Sequence, residues 1–232
     1  MQSFEKIVRP AILEVVSQIK DGYTIGMGSG RTMACVIKEL GRIVKEDEID
    51  VKIVPSSYQV EMLAVENKLN TVNWSGEEKI DLAIDGADQV EINSLDLIKG
   101  GGAALTREKI LDSRAKELII IIDEKKLTDK LGLNQPIPVE VIPFGYKAVL
   151  EEVRKLKGEP ILREANRKVG PVITDNSNFI IDILFKIIEN SKKIEKNLKL
   201  IPGVVESGLF VDMADKVYVA KKDSEIEVIE RN

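Results

Sequence analysis

The 232-residue sequence contains no histidine and a single cysteine, Cys35. Without histidine there can be no Ser-His-Asp triad and no His-ligated zinc, and one cysteine permits neither an internal disulfide nor a thiolate zinc site. Acid–base chemistry is therefore left to carboxylates, lysines and tyrosines. A lone thiol also suits a reducing cytoplasm, the expected location. No apolar run approaches the ~20 residues needed to cross a bilayer. The longest, such as "LIIIID" (Leu118 to Asp123), have the length of a buried strand, so no membrane partner is expected. The opening "MQSFEKIVRPAILEVV" lacks the basic region, apolar block and small-residue cleavage site of a signal peptide. A basic stripe is missing too. Acids outnumber bases, 39 to 34, and the two are mixed along the chain, so no nucleic acid is expected as partner. Lysine-rich "NSKKIEK" reads as the solvated face of a helix.

What remains is ample material for a core: 44% of residues are hydrophobic and 31% charged, enough for one large domain or two smaller ones. Residues 4 to 19 put Phe4, Ile7, Val8, Ala11, Ile12, Val15, Val16 and Ile19 on one helical face. Strand-like and helical segments then alternate: "YTIGMG", "TMACVIKELGRIV", "VKIVPSS", "YQVEMLAVENKL", "KIDLAIDGAD", "ALTREKILDSRA" and "ELIIIID". Several of these strands lack a polar face, which argues for a parallel sheet covered on both sides. Beyond residue 130 the order becomes strand–helix–strand–strand–helix–strand, including a hairpin expected at Asn176 to Asn178, the pattern of a ferredoxin-like unit. "DKVYVAKKD" and "SEIEVIER" would return to the first sheet. The expected fold class is α/β: a Rossmann-like, mostly parallel sheet domain (1–131 plus 208–232) with a smaller ferredoxin-like α+β domain (132–207). A cleft between two such domains is a usual place for a small ligand.

Three segments follow predicted strands and so fall at the carboxyl edge of the sheet, where ligands bind. In "GMGSGRT" (Gly26 to Thr32) glycines allow close approach to an anion, and the N–H groups opening the next helix point toward it. Arg31 stands where a dinucleotide fingerprint needs glycine, and the Gly-Lys-Ser/Thr ending of an NTP loop is missing, so a single phosphate is the chemistry suggested. A tight turn with a Thr cap is the equally weighted alternative. "DGAD" (Asp85 to Asp88) supplies two carboxylates for protons, sugar hydroxyls or Mg²⁺, although such sequences are more often plain turns. "IKGGGAALTREK" puts Lys99 before three glycines and Glu108 in the first two turns of a helix, where an acid also complements the helix dipole. Each segment alone has a bland explanation. Together they pair anion-compatible backbone with charges of both signs.

These motifs, with "PIPVEVIPF", "ITDNSN" and "IPGVVESGLF", resemble the ribose-5-phosphate isomerase type A family in order and spacing across essentially the whole chain. The resemblance implies interconversion of D-ribose 5-phosphate and D-ribulose 5-phosphate in the non-oxidative pentose phosphate pathway. It implies no metal or organic cofactor, a small-molecule sugar phosphate as partner, and a homodimer or homotetramer. It makes Glu108 the base and Lys99 the stabiliser of the oxyanion. Asp85 and Asp88 would hold hydroxyls and assist ring opening, with Gly86 and Ala87 between them as substrate-binding positions. Ser29, Gly30, Arg31 and Thr32 would hold phosphate, Gly100, Gly101 and Gly102 would line the sugar, and Lys126 would bind substrate as well. Two positions depart from the family pattern. Arg31 replaces a serine, and either adds a phosphate contact or points away; Gln89 replaces a glutamate and carries no charge.

The chemistry suits these residues. One carboxylate can move a proton between C2 and C1 from one face of an enediolate, a positioned base being worth about 10²–10⁴-fold. The enediolate needs preorganised positive charge, and a held phosphate fixes the reacting carbons. On this reading, side chains at 100 to 102 would occupy the sugar's space. Competing readings are an amino-sugar-phosphate deaminase/isomerase, which usually needs a histidine; a CoA transferase, with glutamate as nucleophile; and a sugar-phosphate sensor, which needs no base.

Overall fold

The structure is a computed structural model that describes residues 4–76, 79–222 and 224–231; the few remaining positions of the expected first domain lie outside the described residues. Helix α1 (Phe4–Val16) precedes strand β1 (Thr24–Met27), helix α2 (Arg31–Glu46), β2 (Lys52–Pro55), α3 (Tyr58–Glu66), β3 (Asn70–Thr71) and β4 (Leu82–Asp85). Two short strands follow, β5 (Gln89–Glu91) and β6 (Leu97–Ile98), then α4 (Leu105–Asp112), β7 (Leu118–Asp123) and β8 (Leu127–Thr128). The rest comprises β9 (Ile137–Val141), α5 (Tyr146–Lys155), β10 (Glu159–Leu162), β11 (Phe179–Leu184), α6 (Ser191–Lys199), β12 (Val204–Ser207), β13 (Leu209–Phe210), β14 (Lys216–Ala220) and β15 (Ile226–Glu230).

Contacts divide the chain into two units: Met1–Ala87 with Arg107–Leu127 and Met213–Asn232, and Asp88–Thr106 with Thr128–Asp212. The first holds a seven-stranded sheet in the order β15-β14-β7-β4-β1-β2-β3. Every neighbouring pair is parallel except β14 and β15. The run "LIIIID" is β7, and its first five residues are buried, because a strand between two parallel neighbours with helices on its faces has no wet side. Helices α1 and α2 bury their apolar stripes, Val8, Ala11, Ile12, Val15 and Val16 on one and Met33, Val36, Ile37 and Leu40 on the other. Each such side chain contributes about 1.5–3 kcal/mol of burial.

In the second unit, β9, β10, β11 and β12 form an antiparallel sheet in the order β10-β11-β9-β12. Val149 and Val153 of α5 and Leu198 of α6 join Val139, Val141, Ile181 and Ile183 in one core cluster. The expected turn lies at 174–178, where Thr174 N–H bonds the Asn178 carbonyl at 2.9 Å and Ser177 adopts φ +64°. A smaller sheet, β13-β6-β5-β8, was not expected from the sequence. It places residues 88–106 with 128–212, whereas the sequence reading kept them with the parallel sheet. Pairing explains the difference: Gln89 pairs with Ile98 and Leu97 with Phe210, so this segment completes its hydrogen bonds with β13.

Candidate active site

In the first unit the candidate residues of "GMGSGRT" and Asp85 stand at the carboxyl ends of adjacent parallel strands, and Glu108 in the first turn of α4. Register pairs Met27 with Ile84, and Gly28 N–H extends the ladder to the Ile84 carbonyl at 2.9 Å, which sets Gly28 beside Asp85. Asp85 is fully buried and its Oδ1 accepts from Gly86 N–H at 2.6 Å. A Cβ at Gly28 would overlap the Asp85 carboxyl group. Gly28 therefore owes its smallness to Asp85 as much as to any anion.

The turn that follows also meets Glu108 of α4. Ser29 N–H donates to Oε1 of Glu108 at 3.2 Å, and Glu108 itself is 4% exposed. The Ser29 hydroxyl donates to Ser57 Oγ at 2.8 Å and lies 2.8 Å from Ser56 Oγ, which must then be the donor to Ser29. Gly30, at φ +99°, starts α2, and its N–H bonds Gln59 Oε1 at 3.0 Å. The Thr-cap alternative fails here: Gly30 is the N-cap, no side chain caps the helix, and Thr32 is buried. The opening N–H groups of α2 thus have no earlier helical carbonyl to bond and suit an anion. Arg31 turns its guanidinium over the Phe4 ring, 4.6 Å from the centroid, so its backbone is what it brings to the turn. Lys126, beyond β7, donates Nζ to the Ala87 carbonyl at 2.5 Å and so meets the end of "DGAD".

In the second unit, Lys99, Asp88 and the glycines come together. Asp88 N–H bonds the Ile98 carbonyl and Lys99 N–H the Gly208 carbonyl, both at 2.8 Å. Lys99 is 3% exposed, with Nζ 5.3 Å from the Phe210 ring centroid. Gly101 N–H donates to Asp88 Oδ2 at 2.7 Å, and a Cβ at Gly101 would stand 2.8 Å from Asp88 Oδ1. Gly100 has φ +106°, and a Cβ there would press on Leu105 and Pro138. Only at Gly102 is the surrounding space open. Two of the three glycines thus answer to their own unit rather than to ligand volume alone. Gln89 is structural: its Oε1 accepts from Gly132 N–H at 2.7 Å.

Ser56, Ser57 and Gln59 join the turn without having been expected there. The signal was there in "PSSYQ", a strand end before a helix, next to β1 in the sheet. The motifs "PIPVEVIPF" and "ITDNSN" likewise had no expected roles. In the structure Glu140, fully buried on β9, accepts from Thr106, Thr174, Asn176 and Asn178. Among the described residues no three His, Cys, Asp or Glu side chains gather as metal ligands.

The sequence model of ribose 5-phosphate isomerase A (phosphoriboisomerase A) matches residues 52–224. The chain belongs to this family. To the ribose-5-phosphate isomerase A of Methanococcus aeolicus it is 47% identical over 213 residues, 92% of this chain and 90% of that one. The solved ribose 5-phosphate isomerase A of Methanocaldococcus jannaschii superposes with a TM-score of 0.94 at 43% identity, covering 99% of this chain and 100% of the other. Another ribose-5-phosphate isomerase structure, in complex with phospho-erythronic acid, gives 0.95 at 43% identity with the same coverage.

Proposed function

We propose that Glu108 is the acid–base group that carries a proton between C2 and C1 of the sugar phosphate in this isomerase. The activity itself is that of the family: the chain is a ribose-5-phosphate isomerase of the pentose phosphate pathway, interconverting D-ribose 5-phosphate and D-ribulose 5-phosphate. The observation that carries the residue assignment is the Ser29–Glu108 hydrogen bond, which ties a nearly buried carboxylate to the turn suited to phosphate. A phosphate held at the Ser29–Gly30–Arg31–Thr32 turn, through the Arg31 and Thr32 N–H groups that open α2, would then set the distance from anchor to base.

Lys99 is the oxyanion partner in this reading. It is an ammonium shielded from water, where its charge acts more strongly than it would in bulk solvent. Asp85 and Asp88 accept hydroxyls, with Gly86 and Ala87 shaping the turn between them; Lys126 supports that turn through Ala87. Gly100 to Gly102 pass the sugar as backbone. The phospho-erythronic acid bound by the relative is an acid analogue of a sugar phosphate, which fits the same substrate class.

The parallel order β7-β4-β1-β2-β3 supports a Rossmann-like domain, and the order β10-β11-β9-β12 with helices after β9 and β11 supports a ferredoxin-like one. Homodimeric or homotetrameric assembly rests on family resemblance, and a cytoplasmic location on the single cysteine. No helix among the described residues is long and apolar enough to cross a membrane. The experiment is direct: incubate the chain with ribose 5-phosphate in the presence of a chelator and follow ketose formation. Ketose should accumulate to equilibrium; its absence would overturn the reading.

A further inference from the structure

Three consecutive glycines carry no Cβ by which packing could lock them, yet preorganised catalysis requires their peptide planes to be fixed. The structure shows what fixes them. Arg163, just beyond β10, donates Nη1 to the carbonyls of Gly100 at 2.9 Å and Gly101 at 3.1 Å. The same guanidinium makes a two-pronged pair with Asp182 of β11, Nε to Oδ2 at 2.7 Å and Nη2 to Oδ1. Asp182 thus sets the plane of the fork, and the remaining edge of the fork faces the glycines.

The peptide geometry gives this grip a consequence. No peptide bond among the described residues is cis, so each carbonyl and the N–H of the same unit point in opposite directions. The Gly100–Gly101 unit is held at both ends, its carbonyl by Arg163 and by the Ala103 N–H at 3.0 Å, its N–H by Asp88. In the Gly101–Gly102 unit the carbonyl is held by Arg163, so the Gly102 N–H is aimed away from the guanidinium. Of the three glycines, Gly102 is the one at which an added Cβ would meet nothing within 4 Å. A lysine could not replace this arginine, because one ammonium cannot span a carboxylate and two carbonyls in a fixed plane.

We propose that Arg163, oriented by Asp182, is a positioning residue for the isomerisation: it fixes the peptide planes after Lys99 so that the Gly102 N–H becomes a second donor to the developing oxyanion. This rests on the reading that gives Lys99 to the oxyanion and has Gly100 to Gly102 line the sugar. The bland reading, a clamp that merely holds strand to loop, predicts activity lost only as far as stability is lost. The pair is largely buried, with side chains 17% and 23% exposed, so Arg163→Ala costs stability on either reading; the split between kcat and KM and the response to added guanidinium separate the two.

The test compares Arg163→Ala, Arg163→Lys and Asp182→Asn with the native chain, measuring kcat and KM for ribose 5-phosphate alongside thermal unfolding. In Arg163→Ala, kcat should fall about ten- to a hundredfold while KM moves far less, since the donor acts on charge that develops only in the transition state. Free guanidinium, well below denaturing concentrations, should restore part of kcat in Arg163→Ala. Arg163→Lys should recover little, and Asp182→Asn should fall between. Native kcat in Arg163→Ala would overturn the proposal, as would a loss that tracks unfolding and ignores guanidinium. A native chain inactive on ribose 5-phosphate would instead overturn the isomerase reading on which the proposal stands.

Discussion

The carboxyl group of Asp85 fills the space that a side chain on Gly28 would need. Neither residue can yield. Asp85 ends β4 in the middle of the sheet and is fully buried, and Gly28 is tied to the same strand through the Ile84 carbonyl. Gly28→Ala should therefore destabilise the fold by about 1–3 kcal/mol, as overpacking does. It should also lower kcat by displacing Asp85. Thermal unfolding and steady-state kinetics check both, and a variant native in both would show that the two residues do not crowd each other.

Lys99→Met keeps most of the length of the side chain but removes the ammonium, and with it the cation over the Phe210 ring. If Lys99 faces the enediolate oxygen, kcat should drop about 10²–10³-fold, the usual effect of losing one oxyanion donor. KM should change less. A turnover close to native would remove Lys99 from the chemistry.

How far the sequence foretold this arrangement depended on the range of the interactions. Long apolar runs such as "LIIIID" announced buried parallel strands, because burial on both faces leaves no polar alternation. "DGAD" and "GMGSGRT" were placed at strand ends by the same logic. Strands of two or three residues, β5 and β6, were missed because so short a run has no periodicity; they exist only through pairing with each other and with β13. The glycines were legible as a special backbone, but not their reasons. Gly101 is opposed by Asp88, thirteen residues earlier, and the grip of Arg163 on Gly100 spans sixty-three positions. Arg31 stood at a phosphate-loop position by motif, and only the packing of α1 shows its guanidinium on Phe4.

Asp81 offers a test of fold energetics away from the site. Its Oδ1 accepts from Lys116 Nζ at 2.5 Å and its Oδ2 from Thr24 N–H at 3.0 Å. The Lys116 bond chiefly, with the Thr24 amide, holds its carboxyl below the ordinary value of 3.8. The unfolded chain therefore takes up this proton first, so the stability gained from the carboxylate is present above pH 3.8 and lost as pH falls through the folded value. Native protein and Asp81→Asn should differ in unfolding midpoint near neutrality and converge in acid. A gap that widens on acidification would contradict the assignment.

The central claim is that one carboxylate, Glu108, moves the proton. Glu108→Gln preserves its shape and can still accept from Ser29 N–H, yet it cannot take a proton from carbon. Measured with ribose 5-phosphate, on protein whose circular dichroism matches the native chain, kcat should fall by about 10²–10⁴-fold or more while KM stays near native. Turnover at the native rate would contradict the account.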